Sequence, residues 1–295
     1  MFHASTAPVS VMGGSITPDG ALNLRPLIEL IGLPSDSNSS FERGPALAPP
    51  AIRAALWSDR GNLACENGME IGQDFELRDR GDLQLFERAE DDALIRAAVS
   101  ESIASGAVPL VLGGDHAMTH PVVQAVHAAH GPLTILHFDA HPDLYELFDG
   151  NPRSHASPFA RIMEAGLASR LVQVGIRTLN RHCREQAERF GVEILPMAEF
   201  APDRAPVLPG PLYISIDLDG IDPSEAPGVS HPEPGGLTVR EVLAVLRRQT
   251  GRIVGADIVE YNPRFDQHER TAIVAAKLLR ELAALITRSG SCGLP

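Results

Sequence analysis

Lysine is nearly missing from this sequence. Lys277, inside the apolar stretch 272–286, is the only one, and every other basic residue is arginine. The shortage removes the lysine of a phosphate-binding loop and argues against Schiff-base chemistry. Cysteine is scarce as well, with Cys65, Cys183 and Cys292 far apart. That spacing excludes a disulfide framework or a paired-cysteine zinc site and predicts a reducing, cytosolic setting. No apolar run approaches the ~20 residues of a membrane-spanning helix, and residues 1–25 lack the basic start and apolar centre of a secretory signal. Rich in Gly, Pro, Ser and Thr, residues 1–25 read as a flexible arm or short leader, and residues 26–295 as a single domain. Positive charge is in deficit, 25 basic against 38 acidic residues for a net charge of −13. The balance argues against nucleic acid or an anionic membrane as partner and favours a small or cationic ligand.

With 44% hydrophobic residues in 295, the chain is long enough to bury a sizeable core. Apolar runs at 26–33, 108–112, 133–138, 171–176, 212–216 and 252–258 read as strands, and 51–57, 92–105, 121–130, 158–165, 181–190, 239–248 and 271–288 as helices. Gly, Pro and Ser make 35–50 a loop. Strands that are apolar throughout, separated by helix-length segments, predict an α/β fold with a parallel sheet covered on both faces.

The chemistry gathers just after the strands. GGDHAMTHP follows the run at 108–112, DAHPDLYE follows 133–138, DLDGIDP follows 212–216, and EYNP closes the last strand. Together these ends deliver Asp115, His116, Asp139, His141, Asp143, Asp217, Asp219 and Glu260, at the place where open α/β sheets bind ligands. One aspartate at a strand end can be a helix cap or a turn former, and Asp222 reads so. Several carboxylates side by side are too costly to desolvate without cations. Asp139, Asp143, Asp217 and Asp219 would balance two divalent ions, and His116 and His141 add nitrogen donors. Such a set suits manganese best, with nickel, cobalt or zinc as competitors. Two metals generate a nucleophile from water at neutral pH, so hydrolysis is the implied chemistry. His127 and His130 read as packing or surface residues, His137 as part of a core layer, His182 and His268 as exposed, and Lys277 as snorkelling from a core-facing helix. Asp115 would orient an imidazole or cap the next helix.

These four motifs, in this order, resemble the ureohydrolase (arginase and agmatinase) superfamily. SSFERGPALAPPAIRAAL, SHASPFARIMEAG, QVGIRTLNRHCREQAERFGVE, APGVSHPEPGGLT and TAIVAAKLLRELA extend the resemblance to the plant-type arginase branch. It implies a three-layer α/β/α fold with a central, mainly parallel sheet. It also implies one ion on His116, Asp139, Asp143 and Asp217 and the other on Asp139, His141, Asp217 and Asp219. Asp143 would further hydrogen-bond the attacking water, His155 would match the family's proton-carrying histidine, and Glu260 the acid that clamps the guanidinium. Asn151 and Ser154 resemble the donors that hold the substrate carboxylate. Arg153 stands where the plant branch tends to have an aromatic residue, and it could pair the same carboxylate bidentately if it turns inward. Val229-Ser230-His231-Pro232-Glu233 replaces a loop that carries Gly-Thr in many members, which places His231 near the guanidinium. The expected protein is a metal-dependent amidinohydrolase that releases urea from a small guanidino substrate, as a homo-oligomer, trimer or hexamer. L-arginine is favoured as substrate, ahead of agmatine and then a guanidino acid. A two-metal phosphoesterase would need a GNHD or GNHE segment and a late histidine pair, which are lacking. A member that only binds a guanidino ligand would not need intact metal ligands.

Overall fold

The computed structural model describes residues 14–16, 22–24 and 26–291. Most of the arm expected at 1–25 lies outside the described residues; within it β1 (Gly14–Ile16) pairs antiparallel with β2 (Leu22–Leu24). The chain then alternates through β3 (Leu27–Leu33), α1 (Ala48–Leu56), β4 (Glu76–Asp82), α2 (Asp91–Ala104), β5 (Val108–Gly113), α3 (Thr119–His130), β6 (Leu133–Phe138) and α4 (Pro158–Glu164). β7 (Ala168–Val174), α5 (Arg181–Phe190), β8 (Glu193–Leu195), β9 (Leu212–Asp217), α6 (Val239–Arg248), β10 (Ile253–Val259) and α7 (Arg270–Ser291) follow. Among the described residues, no helix is long and apolar enough to cross a membrane.

The strands from β3 onward form one sheet in the order β4-β3-β5-β10-β9-β6-β7-β8, with every pair parallel. Alternation along each strand sorts the two cores. Leu110, Leu112, Ile214 and Ile216 pack with α1, α6 and α7, whereas Val111, Ile135 and Tyr213 pack with α2, α3, α4 and α5. The result is the expected three-layer arrangement. Two strands of this sheet were not legible in the sequence, nor was the β1–β2 pair. β4 reads ELRDRGD and β8 is only three residues long, and both lie at sheet edges. An edge strand blunted by charge or brevity carries little apolar signal. Helix α1 begins three residues before the expected start at 51, because prolines are tolerated in a first helical turn.

Order and register assemble the site. The four strands whose ends carry the motifs are neighbours in the middle of the sheet, β5-β10-β9-β6. Leu112, Ile258, Ile216 and Phe138 stand in one row across them. One residue further on lie Gly113, Val259, Asp217 and Asp139, so the two central aspartates emerge side by side at the edge of the apolar core. The chain leaves β5 for β6 and only later fills the gap with β9 and β10, which makes this the switch point where a crevice opens.

The loop after β3 zips onto the loop after β5. Gly114 N–H donates to Leu33 O, Asp115 N–H to Ser35 O and Glu260 N–H to Gly114 O, each at 2.9 Å. A Cβ on Gly114 would fall 1.7 Å from the Ser35 carbonyl oxygen. Gly114→Ala is therefore expected to destabilise the protein by about 3 kcal/mol, the upper end of usual overpacking penalties. Gly61→Ala, whose Cβ would meet its nearest atom at 3.9 Å, should stay within about 0.5 kcal/mol. Denaturant midpoints of the two variants check the contrast; equal midpoints would contradict it.

Candidate functional site

His116 and His141 are embedded in carboxylates. His116 Nδ1 lies 3.0 Å from Asp143 Oδ2, 3.1 Å from Asp217 Oδ2 and 3.4 Å from Asp139 Oδ2. His141 Nδ1 lies 3.1 Å from Asp219 Oδ2 and 3.4 Å from Asp139 Oδ1. Ligand atoms about 2.1 Å from one octahedral ion sit about 3 Å from one another, so these spacings are those of a coordination shell. Both His116 Nδ1 and Asp139 Oδ2 are buried without a hydrogen-bond partner, as an atom reserved for a cation would be. Three donor groups result, His116-Asp139-Asp143-Asp217, Asp139-His141-Asp219 and His116-His137-Asp139, and Asp139 belongs to all three. All six expected ligand residues come together. The second group forms without Asp217, whose Oδ1 instead accepts the Asp219 N–H at 2.8 Å.

Residues outside the six ligands fix the orientation of this shell. Ser215 Oγ donates to Asp257 Oδ1 at 2.6 Å and sits 3.0 Å from His116 Nε2. Asp257 also accepts from the Tyr213 hydroxyl (2.6 Å) and the Thr119 hydroxyl (2.8 Å). With its own proton committed to Asp257, Ser215 accepts the Nε2–H of His116 and leaves Nδ1 as the lone pair facing the carboxylates. The available signal was a charged residue inside the wholly buried strand β10. His137 does lie in a core layer as expected, fully buried. It does more than pack, since its Nε2 lies 2.9 Å from Asp139 Oδ2 and Gln173 Nε2, anchored on Pro142 O, donates to its Nδ1. Arg177 donates to the carbonyls of Asp219, Gly220 and Glu233 and so ties the Asp219 turn to the segment after His231. Asp115 caps the turn that presents His116, accepting from Ala117 N–H.

Backbone geometry is strained at two of the functional positions. Asp143 (φ 51°) and Glu260 (φ 61°) both adopt the left-handed region, which costs about 1–3 kcal/mol each for residues with a side chain.

Electrostatics explains why the cluster needs cations. Burial opposes charge on His116, but Asp139, Asp143 and Asp217 raise its pKa well above the usual imidazole value. Burial, with Asp219 and Asp139 alongside, lifts the Asp217 carboxyl well above the carboxylate range. Burial also raises Asp219, to about 6, with His141 pulling it down and Asp139 pushing it up. His116 and Asp217 thus hold protons at neutral pH that metal ions would replace, while the neighbouring histidines keep Asp139 well below the usual carboxylate range against its burial.

A cavity of about 270 Å³ opens on this cluster, lined among others by Asp143, Asp217, Asp219, His155, His231 and Glu260. His155 Nδ1 lies 2.9 Å from Glu260 Oε1, which also accepts the His116 N–H at 2.8 Å. Burial works against charge on both partners, yet their attraction holds His155 up at about 9 and Glu260 below its usual value. His231 is brought in as expected, its ring centroid 5.2 Å from that of His155 and 6.1 Å from that of His141.

The expected tail donors are not brought in. Arg153 is bonded to Asp92 and lines a separate cavity with His120 and Arg161. Asn151 Nδ2 donates to Asn38 Oδ1, and Ser154 Oγ accepts from Ala156 N–H. The Asn151 side chain is committed locally at both ends, since its Oδ1 accepts the Arg153 N–H in a tight turn. The far wall of the 270 Å³ cavity comes instead from Tyr145, Phe148, Thr178, Asn180 and Cys183.

Comparison with known proteins places this geometry. The model of the Arginase family matches residues 27–284. Arginase 1, mitochondrial, of Arabidopsis thaliana is 50% identical over 277 residues, covering 88% of this chain and 81% of that protein. Agmatinase, mitochondrial, of Gallus gallus is 35% identical over 277 residues, covering 87% and 80%. The solved arginase from Medicago truncatula superposes with a TM-score of 0.82 at 47% identity, covering 88% of this chain and 87% of that one. The cytosolic setting expected from cysteine use is overturned here, because both curated relatives are mitochondrial by name. Among the described residues, Cys65 and Cys183 are free and buried. With a match over most of its length and a dinuclear donor set intact, the chain belongs to the arginase family.

Proposed function

We propose that this protein hydrolyses L-arginine to L-ornithine and urea, with two divalent cations, manganese by preference, held by His116, Asp139, His141, Asp143, Asp217 and Asp219. The observation that carries the reading is the pair of donor clusters sharing Asp139 and facing Glu260 across one cavity. When bound, two such ions supply a nucleophile from water at neutral pH and direct it onto the guanidinium carbon. An oxygen-rich set with two imidazoles suits manganese better than softer sites would.

The chain's own residues do the rest. Glu260, held ionised by His155 and by the His116 amide, accepts guanidinium N–H groups in a charge-assisted pair. Asp143, a member of the first donor group, would hydrogen-bond the reacting water and take up the proton its oxygen loses as urea forms. His155, charged at neutral pH, gives its proton to the departing δ-amine, so that the carbon–nitrogen bond breaks to a neutral amine and urea. His231 closes the guanidinium side of the cavity. Arginine is preferred over agmatine on the difference in likeness, 50% to the Arabidopsis arginase against 35% to the chicken agmatinase. The substrate's charged end then lies against Tyr145, Thr178 and Asn180 rather than Arg153.

Two outcomes test this. Urea release should give a higher kcat/KM with L-arginine than with agmatine or 4-guanidinobutyrate, and Tyr145→Phe should raise KM for arginine about tenfold, the loss of one hydrogen bond to a charged group, at similar kcat. A faster reaction with agmatine would overturn the substrate assignment. Elemental analysis after loading with Mn2+ should give about two ions per chain, and Asp139→Asn should remove most of both because it touches both. One ion per chain would contradict the dinuclear assignment.

A further inference from the structure

The loop between β3 and α1 contributes no metal ligand, yet one of its side chains reaches into the site. Ser40 Oγ lies 2.8 Å from His155 Nε2, and the Ser40 amide points at the same nitrogen at 3.2 Å. On the other side of the ring, Nδ1 faces Glu260 at 2.9 Å. Ser40 and Glu260 thus hold the imidazole by both nitrogens, 115 and 105 residues away in sequence. We propose that Ser40 is a positioning residue for His155, keeping its Nε2 in place through the gain and loss of the transferred proton. The inference rests on His155 carrying that proton.

The two groups of Ser40 are not equivalent. Its amide is a donor only and can serve Nε2 only while that nitrogen is unprotonated. Its hydroxyl can donate to the neutral ring and, after rotation, accept from the imidazolium. The hydroxyl alone therefore matches both states of a histidine that cycles between them. Ser40 is exposed and lies on the cavity wall, so its aim must come from the loop around it. Asp36, 4% exposed, ties the loop by accepting from the amides of Gly44 (2.7 Å) and Ala46 (3.2 Å) and from Arg43. Asn38 donates its amide to Asp115 at 2.9 Å, accepts the His155 N–H on its carbonyl at 3.2 Å, and accepts from Asn151 on its side chain at 3.0 Å. The same loop therefore grips His155 by backbone and by ring. It also gives Asn151 a task, since its amide braces this loop.

A double-mutant cycle on the manganese-loaded enzyme tests the proposal, with metal content and circular dichroism confirming that each variant is folded and loaded. Ser40→Ala should lower kcat for arginine about tenfold at nearly unchanged KM, as expected for one hydrogen bond to a charged ring, and Ser40→Thr should recover most of the rate. In a His155→Asn background, already slowed by about 10²- to 10⁴-fold as for a lost general acid, Ser40→Ala should have almost no further effect. A loss that appears in KM, that Thr does not recover, or that multiplies with His155→Asn would overturn the role of Ser40 while leaving His155 standing. An undiminished kcat in His155→Asn would instead overturn the role of His155 itself, and this inference with it.

Discussion

Mutual repulsion among Asp139, Asp143, Asp217 and Asp219 governs the molecule. The four carboxylates are almost closed to solvent, and the charged forms of Asp217 and Asp219 are penalised by burial and by the neighbouring carboxylates. Two imidazoles cannot neutralise four anions. Divalent cations can, and the surrounding hydrogen bonds prepare for them. Ser215 and Asp257 turn the lone pair of His116 toward the cluster, and Gln173 holds His137 against Asp139. A site so arranged spends little on reorganisation when metal arrives.

The sheet brings this repulsion into being. Parallel pairing in one register puts Asp217 and Asp139 a residue beyond the apolar row Leu112-Ile258-Ile216-Phe138, and the hydrophobic burial on both faces supplies the stabilisation that forces them together. The same ends bring His116 and Glu260 from the neighbouring strands. Left-handed backbone at Asp143 and Glu260 adds strain at two residues that line the cavity, a pattern usual for sites whose surroundings over-determine them.

Much of this was legible in the sequence because strand ends are recognisable and because six ligands of fixed chemistry fall in three short motifs. β9 shows how: LYISID is apolar up to its last residue, and that residue is Asp217. What stayed illegible depends on pairings distant in the chain. Nothing in ELRDRGD marks β4 as a strand, since its charges meet Glu29 and Glu101 only after folding. Ser40 looks like any loop serine until His155 is set against it. Arg153 offered a carboxylate partner from its position beside the His155 segment, but Asp92 on α2, 61 residues earlier, claims it.

The central claim is that metal ions replace protons held by the acidic cluster, and proton release on metal binding tests it most directly. Chelator-treated protein at pH 7 is titrated with Mn2+ in a pH-stat. About one proton or more should be released per ion bound, because ligands must shed their protons to coordinate, and Asp217→Asn should reduce the release. Manganese binding with no proton release would contradict the claim.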